Sequence, residues 1–168
     1  MIIKPLKEFP EYEEIIADNL FSEWNELYTS KTLYKTKQLL LDNYIKKAKI
    51  YFVAFDPLNK EFIGCYTFYK SLFKYFLADV YIHPKYRKQG YGSKMIKQAI
   101  EYAKDHHNDL YLYTDKNELI KFYTKIGFKL DNYHDSLDRT RMIINLKSSN
   151  YKLIILIVIL ILIFLIMF

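Results

Sequence analysis

Leu153 to Phe168 reads LIILIVILILIFLIMF, sixteen residues in a row without a polar side chain. No other feature limits the folding of this chain so strongly. Such a segment cannot stay in water, so lipid, a partner or the rest of the chain must cover it. As a helix rising ~1.5 Å per residue it reaches roughly 24 Å. Bilayer hydrocarbon is about 30 Å thick, so the segment suits a thin membrane. Its β-branched residues would also suit buried strands, but strands are shorter and bounded by turn residues, which are missing here. The expectation is a transmembrane helix over 153–168, with a buried or partner-bound segment as the alternative.

Lys147 and Lys152 precede the segment, on the side that positive charge assigns to the cytosol. The opening stretch MIIKPLKEFPEYEE has no long apolar run and soon turns acidic, so it does not read as a signal peptide. A removable lipid-anchor signal also ends in an apolar tail, but it requires secretory entry. The expected layout is a cytoplasmic domain over 1–147, a short hinge over 148–152 and a single-pass, tail-anchored membrane attachment.

The first 147 residues are enough for one domain. Lysine supplies nearly all of the net charge of +6, since arginine occurs only at Arg87, Arg139 and Arg141. A basic surface favours anionic partners such as phosphate or lipid headgroups without naming one. The lysines are scattered and no nucleic-acid-reading motif occurs, so a nucleic-acid partner is not expected. The single cysteine, Cys65, lies in the apolar run FIGCYTFY. It cannot form an internal disulfide and reads as a buried thiol in a reduced compartment. His106 and His107 adjoin, so on a helix they point apart, and no metal site is expected.

Residues 1–147 read as β-α-α-β-β-β-α-β-α-β-β. MIIKPL suits a first strand. Apolar residues at Ile15, Ile16, Leu20, Trp24, Leu27 and Tyr28 give helical spacing over 11–28. A second helix is expected over 32–49, ending in lysines that suit its negative end. IYFVAF and EFIGCYTFYK form a hairpin around the turn DPLN, and YFLADVYIHP is a third strand stopped by Pro84. A helix follows from Gly92 to His106, with Met95, Ile96, Ala99, Ile100 and Ala103 on one face. DLYLYT is a strand and NELIKFYTKI a helix closed by Gly127. FKLDNYH and RTRMIINL end the domain as a strand pair. Helices interrupting a meandering sheet make an α+β plan.

Two of only four glycines stand one residue apart in YRKQGYGSK, between a strand and a helix start. A helix start has unpaired N–H groups and a partial positive charge of roughly half an elementary charge. Glycine lets an anion approach that backbone closely, and Arg87 and Lys88 add charge beside it. The chemistry suggested is a phosphate or pyrophosphate cradle. It is neither a P-loop nor the dinucleotide fingerprint, because the spacing to a Gly-Lys-Ser/Thr ending is wrong and position 95 is Met.

VYIHPKYRKQGYGSKMI resembles motif A of the GNAT superfamily of acyl-CoA-dependent N-acetyltransferases: a strand, Pro, then Arg/Gln-x-x-Gly-x-Gly/Ala opening a helix. LIKFYTKIGFKL resembles motif B of the same family. The likeness spans roughly residues 1–146 and is strongest over 78–130. It implies a mixed, mostly antiparallel sheet flanked by helices, and acetyl transfer from acetyl-CoA to an amine. It further implies that backbone N–H groups of Gln89, Gly90, Tyr91 and Gly92 hold the coenzyme pyrophosphate, flanked by Arg87 and Lys88. Ile82 would pair through its backbone with the pantetheine arm where adjacent strands splay. Tyr123 would be the general acid that protonates the leaving thiolate; a thiol near pKa ~8.5 and a phenol near ~10 match closely enough for that.

Three positions depart from the family pattern. The Asn often found seven residues before the tyrosine is Lys116 here, so Asn117 either takes that role shifted by one or caps the helix. The Glu of the Glu-Asp pair on the motif A strand is replaced, since the pair reads Ala78-Asp79. Asp79 and His83 share one side of an ideal strand. Each could act as a base through water, or Asp79 could be a buried anchor and His83 a surface residue. The functional readings left are an N-acetyltransferase acting on a small amine, a lysine or a protein N-terminus, and an inactive acyl-CoA-binding or scaffold module. Either would be tethered to a membrane.

Overall fold

The computed structural model describes residues 1–25, 36–48, 50–71, 74–106, 109–135, 137 and 139–146. The expected hinge over 148–152 and transmembrane helix over 153–168 lie outside the described residues. Among the described residues no helix is long and apolar enough to cross a membrane.

The elements follow the expected order. They are β1 (Ile2–Pro5), α1 (Glu13–Glu23), α2 (Lys37–Leu40), β2 (Tyr51–Phe55), β3 (Phe62–Ser71), β4 (Lys74–Ile82), α3 (Tyr91–Asp105), β5 (Leu110–Thr114), α4 (Asn117–Ile126), β6 (Lys129–His134) and β7 (Thr140–Ile144). Seven strands form one sheet in the order β1-β2-β3-β4-β5-β7-β6. Every pairing is antiparallel except β4 with β5. This is the expected α+β sheet.

Alternating strand residues feed two cores. Ala54, Ile63, Tyr66 and Leu77 join Met95, Ile96, Ala99 and Ile100 of α3 and Tyr123 of α4 on one face. Val53, Phe55, Cys65 and Tyr81 join Ile16, Ala17 and Leu20 of α1 and Leu40 of α2 on the other. Cys65 is fully buried and unpaired with another cysteine. The helices thus cover both faces, as a sheet of this length requires.

Two helices differ from the sequence expectation. α1 begins only at Glu13, after two short 3-10 turns at Leu6–Glu8 and Pro10–Tyr12. α2 starts at the Thr36 cap, whose side chain accepts from the Leu39 N–H at 3.2 Å, and widens into a π turn over Leu41–Ile45. Leu40, Leu41 and Ile45 all lie in the core.

Two irregularities of β4 set the geometry at its C-terminal end. Thr67 pairs with Ala78 while Cys65 pairs with Tyr81, so β4 carries one extra residue between them, a β-bulge. Asp79 sits in it with φ +49°, a left-handed backbone that aspartate tolerates better than most residues. Secondly, β4 pairs with β5 only at Tyr75↔Leu110 and Phe76↔Tyr111. Among the described residues, the β5-facing edge of β4 has no strand partner from Leu77 to Ile82, so the two strands splay at the end where the bulge lies.

Candidate active site

The turn after β4 is held from several directions. His83 N–H donates to the Ile63 carbonyl of β3 at 2.9 Å, and Pro84–Tyr86 forms a 3-10 turn. The Gln89 side chain donates to the Lys85 carbonyl at 2.8 Å, and Lys85 pairs with Glu61. Lys88 and Gly90 both take left-handed backbone, at φ +61° and +82°. Gly90 is the N-cap of α3, and a Cβ built on it meets nothing within 4 Å. Glycine there answers the backbone angle and leaves open space above it.

The first bond of α3 is Lys94 N–H to the Gly90 carbonyl, at 3.1 Å. Among the described residues, no backbone N–H from Gln89 to Ser93 donates within the chain. Five amides at the positive end of a fifteen-residue helix are a ready anion site. A Cβ built on Gly92 would lie 3.6 Å from the Phe122 ring and 3.8 Å from Ile82. The turn, the end of β4 and α4 therefore meet at one place. By strand alternation, with His83 N–H aimed at β3, the Ile82 backbone groups face the splayed edge.

Several expected site residues are placed differently. Arg87 does not stand free beside the turn. Its Nε donates to the Ile82 carbonyl at 2.8 Å, its guanidinium pairs with Glu23 of α1 at 2.8 Å, and it lies 5.6 Å from the Tyr81 ring centroid. It staples α1, β4 and the turn together. Tyr91 packs edge-on to Tyr86 at 5.7 Å, with Lys94 over its ring. Asn117 is the first residue of α4, exposed, while Lys116 is the N-cap and no side chain caps the helix. The capping role expected for Asn117 is therefore corrected.

Tyr123 lies at the core side of α4 with 6% exposure, its ring beside Phe122 and Phe128 at 5.2 and 5.7 Å. Burial pushes its phenol above the ordinary value of 10.0, so it keeps its proton. Its hydroxyl makes no hydrogen bond among the described residues.

The bulge decides where Asp79 points. Tyr75 and Leu77 side with the α3 and α4 core, and so do Val80 and Ile82, whereas Tyr81 belongs to the opposite core. On an ideal strand Asp79 would join Tyr75 and Leu77. The extra residue turns it to the α1 and α2 face, where Tyr51 donates to its Oδ2 at 3.2 Å and Tyr44 also bonds it. Burial raises the Asp79 carboxyl from 3.8 to about 6, against the two phenols, which lower it. His83 is not part of this group. Its ring faces Tyr86 at 6.2 Å and its Nδ1 is buried without a hydrogen-bond partner among the described residues.

Beyond the bulge the same sheet face is tyrosine-rich. Tyr69, Phe76 and Tyr113 stack with centroids 4.9 and 5.5 Å apart. Arg139, paired with Asp135 at 2.6 Å, lies over Tyr113. A separate cavity of about 240 Å3, between Pro5, Ile45, Tyr51 and Tyr102, contains none of the turn residues. Among the described residues no group of three or more metal-ligating side chains converges.

Sequence reasoning missed Tyr51, Tyr44, Glu23 and Phe122. Nothing in the local sequence marks Tyr51, Tyr44 or Glu23, because each meets a residue distant in the chain, whereas Phe122 stands beside Tyr123 in LIKFYTKIGFKL.

Solved structures share this fold. An aminoglycoside 6'-N-acetyltransferase complexed with coenzyme A superposes with a TM-score of 0.71 at 16% identity, over 89% of this chain and 99% of that one. A GNAT-family acetyltransferase from Staphylococcus aureus Mu50 gives 0.68 at 17%, over 87% and 99%. The PaiA N-acetyltransferase from Thermoplasma acidophilum, in complex with coenzyme A, gives 0.61 at 19%, over 86% and 99%. A search of curated protein sequences returns no match. The acetyltransferase (GNAT) family model matches residues 11–128, more than half of the chain, and the chain therefore belongs to that family.

Proposed function

We propose that this chain transfers an acetyl group from acetyl-CoA to an amine by direct attack in a ternary complex, and that residues 153–168 hold it at a membrane with the catalytic domain in the cytoplasm. The observation that carries the reaction is the row of undonated amides from Gln89 to Ser93, opening beside the β4/β5 splay. Coenzyme A complexes of neighbours with the same fold support it. The unbroken apolar run after Lys147 and Lys152 supports the tether.

The roles follow from position. Amides of Gln89, Gly90, Tyr91 and Gly92 hold the pyrophosphate, with Lys88 adding charge beside it. Arg87 keeps the turn in shape through Ile82 and Glu23 rather than meeting the phosphates. The Ile82 backbone faces the pantetheine arm, and Asn117 at the start of α4 lies towards its outer end. The acceptor ammonium gives one proton to the Asp79 carboxylate, directly or through a water, and its nitrogen lone pair then attacks the thioester carbonyl. The C–N bond forms and the C–S bond breaks. Nitrogen sheds its second proton to water while the Tyr123 phenol protonates the departing sulfur and recovers its proton from solvent. The products are the amide, free thiol and one proton.

Ala78 in place of the family's glutamate favours a second reading, a tethered acyl-CoA-binding module without turnover. Acetyl-CoA consumption with a panel of primary amines separates the two. The enzyme reading expects turnover by the wild type and a loss of 10²-fold or more in Tyr123→Phe, at the lower end of general acid catalysis, with acetyl-CoA binding unchanged. A wild type that binds acetyl-CoA but acetylates nothing supports the module.

A further inference from the structure

The chain leaves the described sheet at the end opposite the candidate site. β7 closes at Ile144, which pairs with Leu110, and Leu110 pairs with Tyr75 near the start of β4. The turn and the splay lie at the other end of β4. Leu146 is tied down at the exit end, its N–H donating to the Asp109 carboxylate at 3.0 Å. Only residues 147–152 separate it from the apolar run. Fully extended they reach at most ~20 Å, so this end cannot stand far from whatever holds the run. β4 has nine residues, and at ~3.3 Å per residue it sets the turn roughly 25–30 Å from the exit end.

The exit end is basic. Lys70 lies at the end of β3, Lys74 opens β4, Lys125 stands in the last turn of α4 and Lys129 opens β6 opposite Ile143. Lys70, Lys125 and Lys129 are exposed and Lys74 is half-buried. None of the four pairs with a carboxylate among the described residues. At the site end, by contrast, Lys85, Arg87 and Arg139 each pair with one. Of the acids at the exit end, Glu101 pairs with Lys104 and Asp109 holds Leu146, while Asp105 is exposed but outnumbered. The surface between the lysines is partly apolar. Ile126, Ile144 and Leu146 are half-buried and line an open cavity of about 460 Å3 rimmed by Lys97 and Lys104.

Lysines around an apolar patch suit the surface of an anionic bilayer. The ammonium heads meet lipid phosphates and carboxylates, and the stems and apolar side chains lie in the interface. Nucleic acid would meet the same charges, but the chain leaves this end towards an apolar run that suits lipid.

We infer that the exit end of the sheet is a docking face for an anionic lipid surface, and that Lys70, Lys74, Lys125 and Lys129 seat the domain on it with the coenzyme turn facing away from the bilayer. The mouth of the candidate site then opens to water rather than to headgroups. This rests on the tether proposed above and not on the reaction.

The test reconstitutes the full-length chain in vesicles of phosphatidylcholine, alone or mixed with phosphatidylserine. Ser71→Cys and Leu58→Cys are labelled separately with a fluorophore that brominated lipid quenches; Cys65 is buried and escapes the label. Ser71 is exposed within the face, and Leu58 is 93% exposed in the β2–β3 turn at the site end. Each lysine near an anionic leaflet strengthens attraction ~fivefold. In mixed vesicles the Ser71 label should therefore be quenched several-fold more than the Leu58 label. Neutral vesicles, raised salt or joint replacement of the four lysines by Gln should remove the difference while the chain still floats. Equal quenching of the two labels overturns the face and leaves the tether standing. So does Ser71 quenching that persists in neutral vesicles and at raised salt. An unquenched Ser71 label that responds instead to duplex RNA assigns the charges to nucleic acid and overturns the lipid face. A chain that floats with mixed vesicles alone, with Ser71 quenched, overturns the tether and keeps the face. A chain that floats with neither overturns both.

Discussion

Gly64 shows how a single atom limits this fold. A Cβ built there would lie 2.3 Å from the Tyr81 backbone carbonyl across the β3–β4 pair. Backbone cannot rotate away as a side chain can, so Gly64→Ala must push the strands apart just where β4 turns towards the splay. An overpacked site of this kind costs ~1–3 kcal/mol, which urea denaturation would read as a lower midpoint. Tyr66 is the opposite case. It is fully buried, and its hydroxyl has no hydrogen-bond partner among the described residues. Tyr66→Phe removes an unsatisfied polar group and is expected to raise stability by about 1 kcal/mol. Asp79 adds a pH signature. Its folded value is raised to about 6 from 3.8, so its contribution is full below the unfolded value and is lost as pH rises through 6. Between pH 5 and 7.5 this group should remove about 1.4 kcal/mol from wild-type stability, a slope that Asp79→Asn abolishes. A stability curve that Asp79→Asn leaves unchanged would mean the carboxyl is solvated.

At the scale of elements, α1 is tied to the candidate site more closely than its distance in the chain suggests. Tyr81 donates to the Asn19 side chain at 2.9 Å, Trp24 meets the Tyr81 ring edge-on, and Glu23 pairs with Arg87. The Arg87–Glu23 pair is partly exposed, and such a pair adds at most ~1 kcal/mol to stability. Arg87→Ala should therefore leave thermal stability almost unchanged while weakening acetyl-CoA binding about tenfold, because the turn loses its hold on Ile82 and α1. Equal losses in stability and binding would instead make Arg87 a structural residue. The sequence carried α3 and α4 well. Met95, Ile96, Ala99, Ile100 and Ala103 are buried as their spacing implies, and Gly127 ends α4 with φ +115°. α2 was harder, because a π turn has the same apolar composition as an α turn. The bulge in β4 left only a faint trace, a shift of the core-facing apolar residues from odd positions (Tyr75, Leu77) to even ones (Val80, Ile82). Phe76 and Tyr81, apolar and buried on the other face, mask that shift. Without the bulge, Asp79 could not be assigned to a face, and its phenol partners stayed out of sight.

For the whole molecule, the described sheet and both described cores draw on residues 1–146. Truncation after residue 147 should therefore leave a folded chain that no longer floats with vesicles, while the full-length chain floats and resists alkaline extraction. Extraction of the full-length chain at alkaline pH would remove the tether and leave the reaction untouched. The central claim is narrower and lies at the turn. Gly90 has a left-handed backbone with open space above it, at the head of five amides that bond to none of the described residues. The most direct measurement is calorimetric titration of acetyl-CoA into the full-length chain in detergent, with Gly90→Glu alongside. The account expects saturable one-to-one binding by the wild type and loss of at least a hundredfold in affinity for Gly90→Glu, which brings both a strained φ and a negative charge to the phosphates. Equal binding by Gly90→Glu, or no binding by a folded wild type, would contradict it.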